Sequence, residues 1–368
     1  MDFLNDERVV MTLDAGGTNF VFNAIQGLKE VAEPVIMPSS GNDLHVCLNT
    51  ITKGFEEIRN RIPGKKPVAI SFAFPGPADY PNGIIGDLGN LPSFRGGVPL
   101  GPMLEDKFNV PVYINNDGNL FAYGESIAGF LPYINNLLSG SGISKRYRNL
   151  IGITLGTGFG AGIVIDGHMI IGDNSNAAEV WLLSNRYHSG INAEETISIR
   201  ALRNNYETFS GNDMKVSPED IYKIGTGSKA GDQKAAIRAF HEMGKNLGDA
   251  IANMLTIIDG LVVIGGGISG AGQLFMPSLM EELNKNFRIN DNGSIPRLAQ
   301  KVFNIDNKKD QEDFLKSSDC SITVPGSAKN ISYDPAMRTA IGISSLGTSK
   351  AVFIGAYAYA LSRLNKKS

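Results

Sequence analysis

The sequence predicts an α/β fold with two lobes, and three features carry that expectation. A unit of strand, glycine turn and returning strand occurs near the N-terminus and again near residue 150. A third apolar strand runs into a glycine triplet, Gly265-Gly266-Gly267. With 368 residues, 42% of them hydrophobic, the chain is long enough for two domains, each burying its own core and leaving a cleft between them.

In chain order, residues 9–13 form a short apolar run closed by Asp14-Ala15-Gly16-Gly17-Thr18, and Phe20, Val21, Phe22 and Ile25 resume a strand-like composition. Leu44, Leu48, Ile51, Phe55 and Ile58 fall at steps of 4, 3, 4 and 3, which places them on one helical face; Pro63-Gly64 ends that helix. Residues 68–74 read as a buried strand entering Pro75-Gly76-Pro77, and residues 112–114 as another entering Asn115-Asn116-Asp117-Gly118-Asn119. Residues 150–155 repeat the first strand, Gly156-Thr157-Gly158-Phe159-Gly160 the glycine turn, and residues 162–165 the return; Asp166-Gly167 then offers a hairpin turn. Ile237, Phe240, Gly244, Leu247, Ile251, Met254 and Ile258 mark a long amphipathic helix before the strand at 261–264. Residues 284–332 are polar and irregular, and residues 349–364 form a closing helix rich in alanine and aromatics.

Glycine after a strand permits a sharp turn and lets amide N–H groups approach phosphate oxygens without a Cβ in the way. Such clusters also serve plain hairpins, but one unit used twice favours a shared ligand chemistry. None of the clusters carries the lysine of a GxxxxGK[ST] loop, and none is a GxGxxG opening a helix after the first strand, which disfavours Walker and dinucleotide folds. Asp117 sits at the end of a buried strand, where cleft residues belong, although Asn-Asp-Gly-Asn is also ordinary turn composition. Glu179 lies among Ala177, Ala178, Val180, Trp181 and Leu182, neighbours that argue against a simply solvated carboxylate.

Composition excludes other classes. Lys plus Arg number 34 against 37 for Asp plus Glu, a net charge of −3 with no basic block, so nucleic acid is not an expected partner. Cys47 and Cys320 are isolated, with neither a disulfide framework nor a zinc spacing, which suits a reducing cytosol. The N-terminus is acidic where a signal peptide would be basic, and no apolar run reaches membrane-span length, so a cytoplasmic protein without membrane attachment is expected.

Asp14-Ala15-Gly16-Gly17-Thr18, Leu155-Gly156-Thr157-Gly158 and Gly265-Gly266-Gly267-Ile268 resemble the two phosphate motifs and the adenosine motif of the actin-like ATPase superfamily. With Pro75-Gly76-Pro77, Gly89-Asn90-Leu91-Pro92, Asn116-Asp117-Gly118-Asn119 and Ala178-Glu179 in the same order, the chain is most similar to the ROK family of sugar kinases and repressors over nearly its whole length. The resemblance implies two ribonuclease-H-like lobes joined by a hinge, 1–128 plus 347–368 and 129–346, with ATP and sugar meeting between them. It implies Asp117 as general base, Asp14 orienting water on Mg²⁺, and Gly16, Gly17, Thr18, Asn19, Gly156, Thr157 and Gly158 on the phosphates. Gly266 and Gly267 then approach adenosine, and Asn116, Asp117 and Glu179 bind the sugar, with Asn90 and Gly76 as further contacts.

The family pattern also includes a histidine three residues after this glutamate and a zinc-binding CxCGxxGCxE segment. Here Leu182 stands at the histidine position and residues 184–195 hold no cysteine, so no structural zinc is expected. Glu194 best matches the second sugar-binding glutamate, with Glu195 nearly as good a match, and His188 is the one nearby histidine. The expected function is therefore an ATP-dependent kinase of a hexose or N-acylhexosamine, glucokinase-like and homo-oligomeric, with Mg²⁺ as cofactor. The alternative is a catalytically inactive sugar-binding regulator of the same family. Only thirteen residues precede Asp14, too few for the helix-turn-helix domain of a DNA-binding form.

Overall fold

The computed structural model describes residues 2–15, 19–39, 41–89, 91–211, 215–289 and 293–367. By contact the chain divides into two units: Met1–Gly129, Gly162–Ala178 and Leu346–Ser368 make the first, and Phe130–Ala161 with Glu179–Ser345 make the second.

In the first unit β1 (Val9–Ala15) pairs antiparallel with β2 (Asn19–Gln26), which also carries β3 (Lys29–Glu30) and β4 (Val35–Pro38). Next along the chain are α1 (Leu44–Asn60), β5 (Pro67–Ala73), the short pair β6 (Ala78–Asp79) and β7 (Ile84–Ile85), α2 (Leu100–Phe108), β8 (Val112–Asn115) and α3 (Asp117–Ala128). The strand order is β3-β2-β1-β5-β8, with β1, β5 and β8 parallel. Asp43 caps α1, accepting from the Val46 amide at 3.0 Å, and the predicted stripe turns Ile51, Phe55 and Ile58 onto the sheet. There the Phe55 ring meets Phe22 edge-on at 5.2 Å and Phe72 at 5.8 Å. Alternation along the strands leaves the opposite face smaller and more polar, with Thr12 opposite Asn23 and Ser71 opposite Tyr113.

The second unit opens with α4 (Phe130–Gly140) and β9 (Leu150–Leu155). Next, β10 (Phe159–Ile165) begins in this unit, and from Gly162 it belongs to the first, where it turns through Asp166 and Gly167 into β11 (His168–Met169). Both turn residues have positive φ, 48° and 76°, as the predicted hairpin requires. Helices α5 (Ile199–Ser210), α6 (Pro218–Gly225) and α7 (Gln233–Ile257) precede β12 (Leu261–Gly265) and α8 (Gly272–Leu283). The stretch expected to be irregular holds a hairpin of β13 (Asn286–Ile289) and β14 (Gly293–Pro296), then β15 (Lys301–Asn304), α9 (Lys308–Phe314), and a hairpin of β16 (Cys320–Thr323) and β17 (Asn330–Tyr333). Strand β18 (Arg338–Ile343) comes after them, and β9, β12, β18 and β15 lie side by side and parallel.

The last helix, α10 (Thr348–Lys367), belongs to the first unit, where it covers the small polar face of the sheet and lies along α3. Glycine at two positions makes that approach possible. A Cβ on Gly124 would stand 1.9 Å from the Ala351 carbonyl oxygen, and one on Gly355 would stand 1.9 Å from that of Leu120. Both obstacles are backbone, so neither can swing aside. Gly355→Ala is expected to destabilise the protein by about 2–3 kcal/mol or more, read as a lower melting temperature; an unchanged melting curve would show that α3 and α10 separate without cost.

The two thiols differ sharply in setting. Cys47 is buried on the inner face of α1, and burial pushes its pKa up to about 11, whereas Cys320 is exposed on β16. Since the thiolate is the reactive form, a disulfide reagent at pH 8 is expected to titrate one thiol in the native protein and two after denaturation. Rapid titration of both in the native state would contradict the buried placement of Cys47.

Candidate active site

Parallel register decides what meets in the first unit. Asp14 on β1 lies opposite Ala73 on β5, and Ala73 opposite Asn115 on β8, so the three strands end together. The residues just past each end are therefore brought to one edge of the sheet: Pro75-Gly76 after β5 and Asn116-Asp117 after β8, beside Asp14 itself. Open α/β sheets carry their ligands at this carboxyl edge.

Asn116 is not a turn residue but the N-cap of α3, its side-chain oxygen accepting from the Gly118 amide at 2.8 Å. Asp117 is the first helical residue, exposed, with Oδ1 accepting from the same amide at 2.8 Å. Beneath it, buried Asn115 accepts from the Asn116 amide at 2.8 Å and from the Asn119 side chain at 3.1 Å, so the helix start is fixed from inside. Half-buried Asp14 accepts a 2.8 Å bond from the hydroxyl of Ser349, in the first turn of α10. Nothing local in the sequence points to Ser349, which lies 335 residues away. Gly76 sits against Tyr80, whose hydroxyl donates to the Phe74 carbonyl at 2.9 Å, and exposed Asn19 opens β2. Gly16, Gly17, Thr18 and Asn90 lie outside the described residues.

The second unit repeats the arrangement. Gly265 on β12 lies opposite Thr154 on β9, so the turn at Gly156-Thr157-Gly158 and the loop at Gly266-Gly267 leave the same edge. Gly266 has φ +92°, and a Cβ there would stand 2.2 Å from the Leu155 carbonyl oxygen; nothing lies within 4 Å of one on Gly267. Thus Gly266 makes the tight turn and Gly267 borders open space. Glu194 reaches the first of these loops, its Oε2 accepting from the Phe159 amide at 3.0 Å. Glu195 is instead exposed and paired with Arg200 at 2.6 Å, which separates two residues that the sequence left nearly equivalent. Glu179 accepts a hydrogen bond from the indole N–H of Trp181. Leu182 is 57% exposed, and His188 is exposed in the loop beyond it.

Among the described residues no three of His, Cys, Asp or Glu gather into a metal cage. Mg²⁺ does not need one: it keeps several waters and uses one or two carboxylates together with substrate phosphates. Asp14, a half-buried carboxylate at a strand end, fits that donor set.

An α/β chain with two strand-end glycine loops and a carboxylate at the carboxyl edge of its first sheet has the features of an actin-like ATPase fold. The ROK family profile matches residues 10–301, and the chain belongs to the ROK family. It is 49% identical to a crystallographic glucokinase from Parabacteroides distasonis, covering 98% of this chain and 99% of that one at a TM-score of 0.89. A glucokinase from Thermotoga maritima is 26% identical over 292 residues, 74% of this chain and 86% of that protein. A ROK glucokinase from Streptomyces griseus, solved with glucose and AMPPNP, shares the fold at 17% identity and a TM-score of 0.61, over 95% of this chain and 98% of that one.

Proposed function

We propose that this protein is an ATP-dependent hexose kinase, with glucose as its first candidate substrate. The observation that carries the reading is the placement of Asp117: exposed at the first turn of α3, directly after a strand whose end is in register with Asp14. The 49% identity to a glucokinase across almost the entire chain supports the same activity.

In this reading the Asp117 carboxylate accepts the proton of a sugar hydroxyl while that oxygen attacks the γ-phosphorus. The bond from phosphorus to the bridging oxygen breaks, and ADP leaves with the electron pair. Such a transfer depends mainly on positioning and on neutralising charge. Asn116, Glu179 and Glu194, with Gly76 and Asn90, are assigned to the sugar, since carboxylates and amides can each take two hydrogen bonds from neighbouring hydroxyls. Gly16, Gly17, Thr18, Asn19 and Gly156, Thr157 and Gly158 are assigned to the phosphates, and Gly266 and Gly267 to the adenosine. Asp14, oriented by Ser349, would hold Mg²⁺ through water, and the ion would offset phosphate charge. The assignment divides the chain into lobes 1–128 plus 347–368 and 129–346.

The chain has a single tryptophan, Trp181, hydrogen-bonded to Glu179, so its fluorescence reports on a proposed sugar contact. ADP release should be measured with MgATP and glucose, mannose, fructose, N-acetylglucosamine and N-acetylmannosamine, beside Asp117→Asn. Turnover with glucose is expected to fall by about 10²–10⁴-fold in the variant, while the glucose-dependent change in Trp181 emission persists. Wild-type turnover undiminished in Asp117→Asn would remove Asp117 as the base. A sugar-dependent emission change with no turnover on any sugar would favour the inactive regulator.

A further inference from the structure

The segment from Leu183 to Ile199 holds little regular structure, yet it touches the Gly156-Thr157-Gly158 turn on both sides. On one side the Phe159 amide donates to Glu194 Oε2 at 3.0 Å. On the other, the Ile199 amide donates to the Gly156 carbonyl at 3.0 Å, and the turn is closed by Gly156 N–H to Gly158 O at 3.0 Å. Glu194 lies so close that a Cβ on Gly158 would stand 2.6 Å from Oε2. The second carboxylate oxygen, Oε1, makes no hydrogen bond among the described residues.

A polar frame ties down the loop that carries Glu194, beside the buried Ala193 and Ile197. Asn185 uses its full hydrogen-bonding capacity: Nδ2 donates to Thr196 Oγ1 at 2.7 Å and to Asn246 Oδ1 at 2.9 Å, and Oδ1 accepts from the Tyr187 and His188 amides, each at 2.9 Å. Its own amide donates to Ile191 O at 3.1 Å, and the Ala193 amide to Leu183 O at 2.8 Å, so both strands of the loop are tied. The loop is then anchored to the helices behind it. Asn246 belongs to α7, and the Tyr187 hydroxyl donates to Glu282 of α8 at 2.6 Å. Arg297 pairs with both Glu282 and Asp249, and all three side chains are at least nine-tenths buried. Removing one partner from such a buried set leaves the others uncompensated, so the anchor is costly to break.

We propose that Glu194 is a positioning residue for the phosphate turn as well as a sugar contact, and that Asn185 holds it in place. One carboxylate oxygen shapes the turn that receives the nucleotide's phosphates and the other is left for a sugar hydroxyl, so one side chain links the two ligands. The sugar and nucleotide roles rest on the kinase reading; the positioning of the turn does not.

Three variants separate the roles. Glu194→Gln keeps an oxygen that can accept from Phe159 N–H, whereas Glu194→Ala removes it; Asn185→Ala releases the loop. In the ligand-free protein, amide exchange at Phe159 is expected to accelerate in Glu194→Ala and Asn185→Ala and to stay near the wild-type rate in Glu194→Gln. MgATP titrated without sugar is expected to bind about 3–10-fold more weakly to Glu194→Ala and Asn185→Ala, with Glu194→Gln close to wild type and adenosine affinity unchanged throughout. Glucose binding should weaken in both Glu194 variants. Wild-type exchange and MgATP affinity in Glu194→Ala would overturn the proposal, as would equal losses in Ala and Gln. Failure of the wild-type protein to bind MgATP would count against the kinase reading, while exchange at Phe159 would still decide the positioning of the turn.

Discussion

Parallel strands in register impose the constraint on which this protein depends. Strands that run the same way and stop at the same level deliver the residues just beyond them to one edge, however far apart those residues are in sequence. In the first unit the alignment of Asp14, Ala73 and Asn115 gathers segments separated by about a hundred residues. In the second, Gly265 beside Thr154 does the same for two glycine loops. One face of these strands is given over to packing, as the Phe22, Phe55 and Phe72 cluster shows, while the candidate site residues stand at their ends.

That division explains what could be read from the sequence. The α1 stripe, the first strands of both units and the Asp166-Gly167 turn are local patterns, and each survives in the structure within a few residues. The start of α3 was less legible. Asn-Asp-Gly-Asn has turn composition, and glycines at 118 and 124 lower helix propensity, but the Asn116 cap and close packing on α10 outweigh both. Residues 284–332 hid β15 because its strand is only four residues long and sits among exposed hairpins that bury little.

The candidate site divides along the same line. Motif residues such as Asp117 and the glycines of both turns could be proposed because their spacing is local. Ser349, Asn185 and Trp181 could not, since each acts by touching a motif residue or by fixing a loop from the side. The choice between Glu194 and Glu195 is of this kind: adjacent in sequence and identical in chemistry, they differ only in that one faces the Phe159 amide and the other Arg200.

The first unit draws on both ends of the chain, with α10 laid over its sheet after the whole second unit has been made. During translation the first unit's strands therefore wait with their polar face uncovered, while residues of the second unit emerge and can fold. The helix that finishes the first unit also brings Ser349 to Asp14. Ser349 therefore meets Asp14 only once α10 has been made, and removal of α10 takes away that contact together with the cover of the sheet.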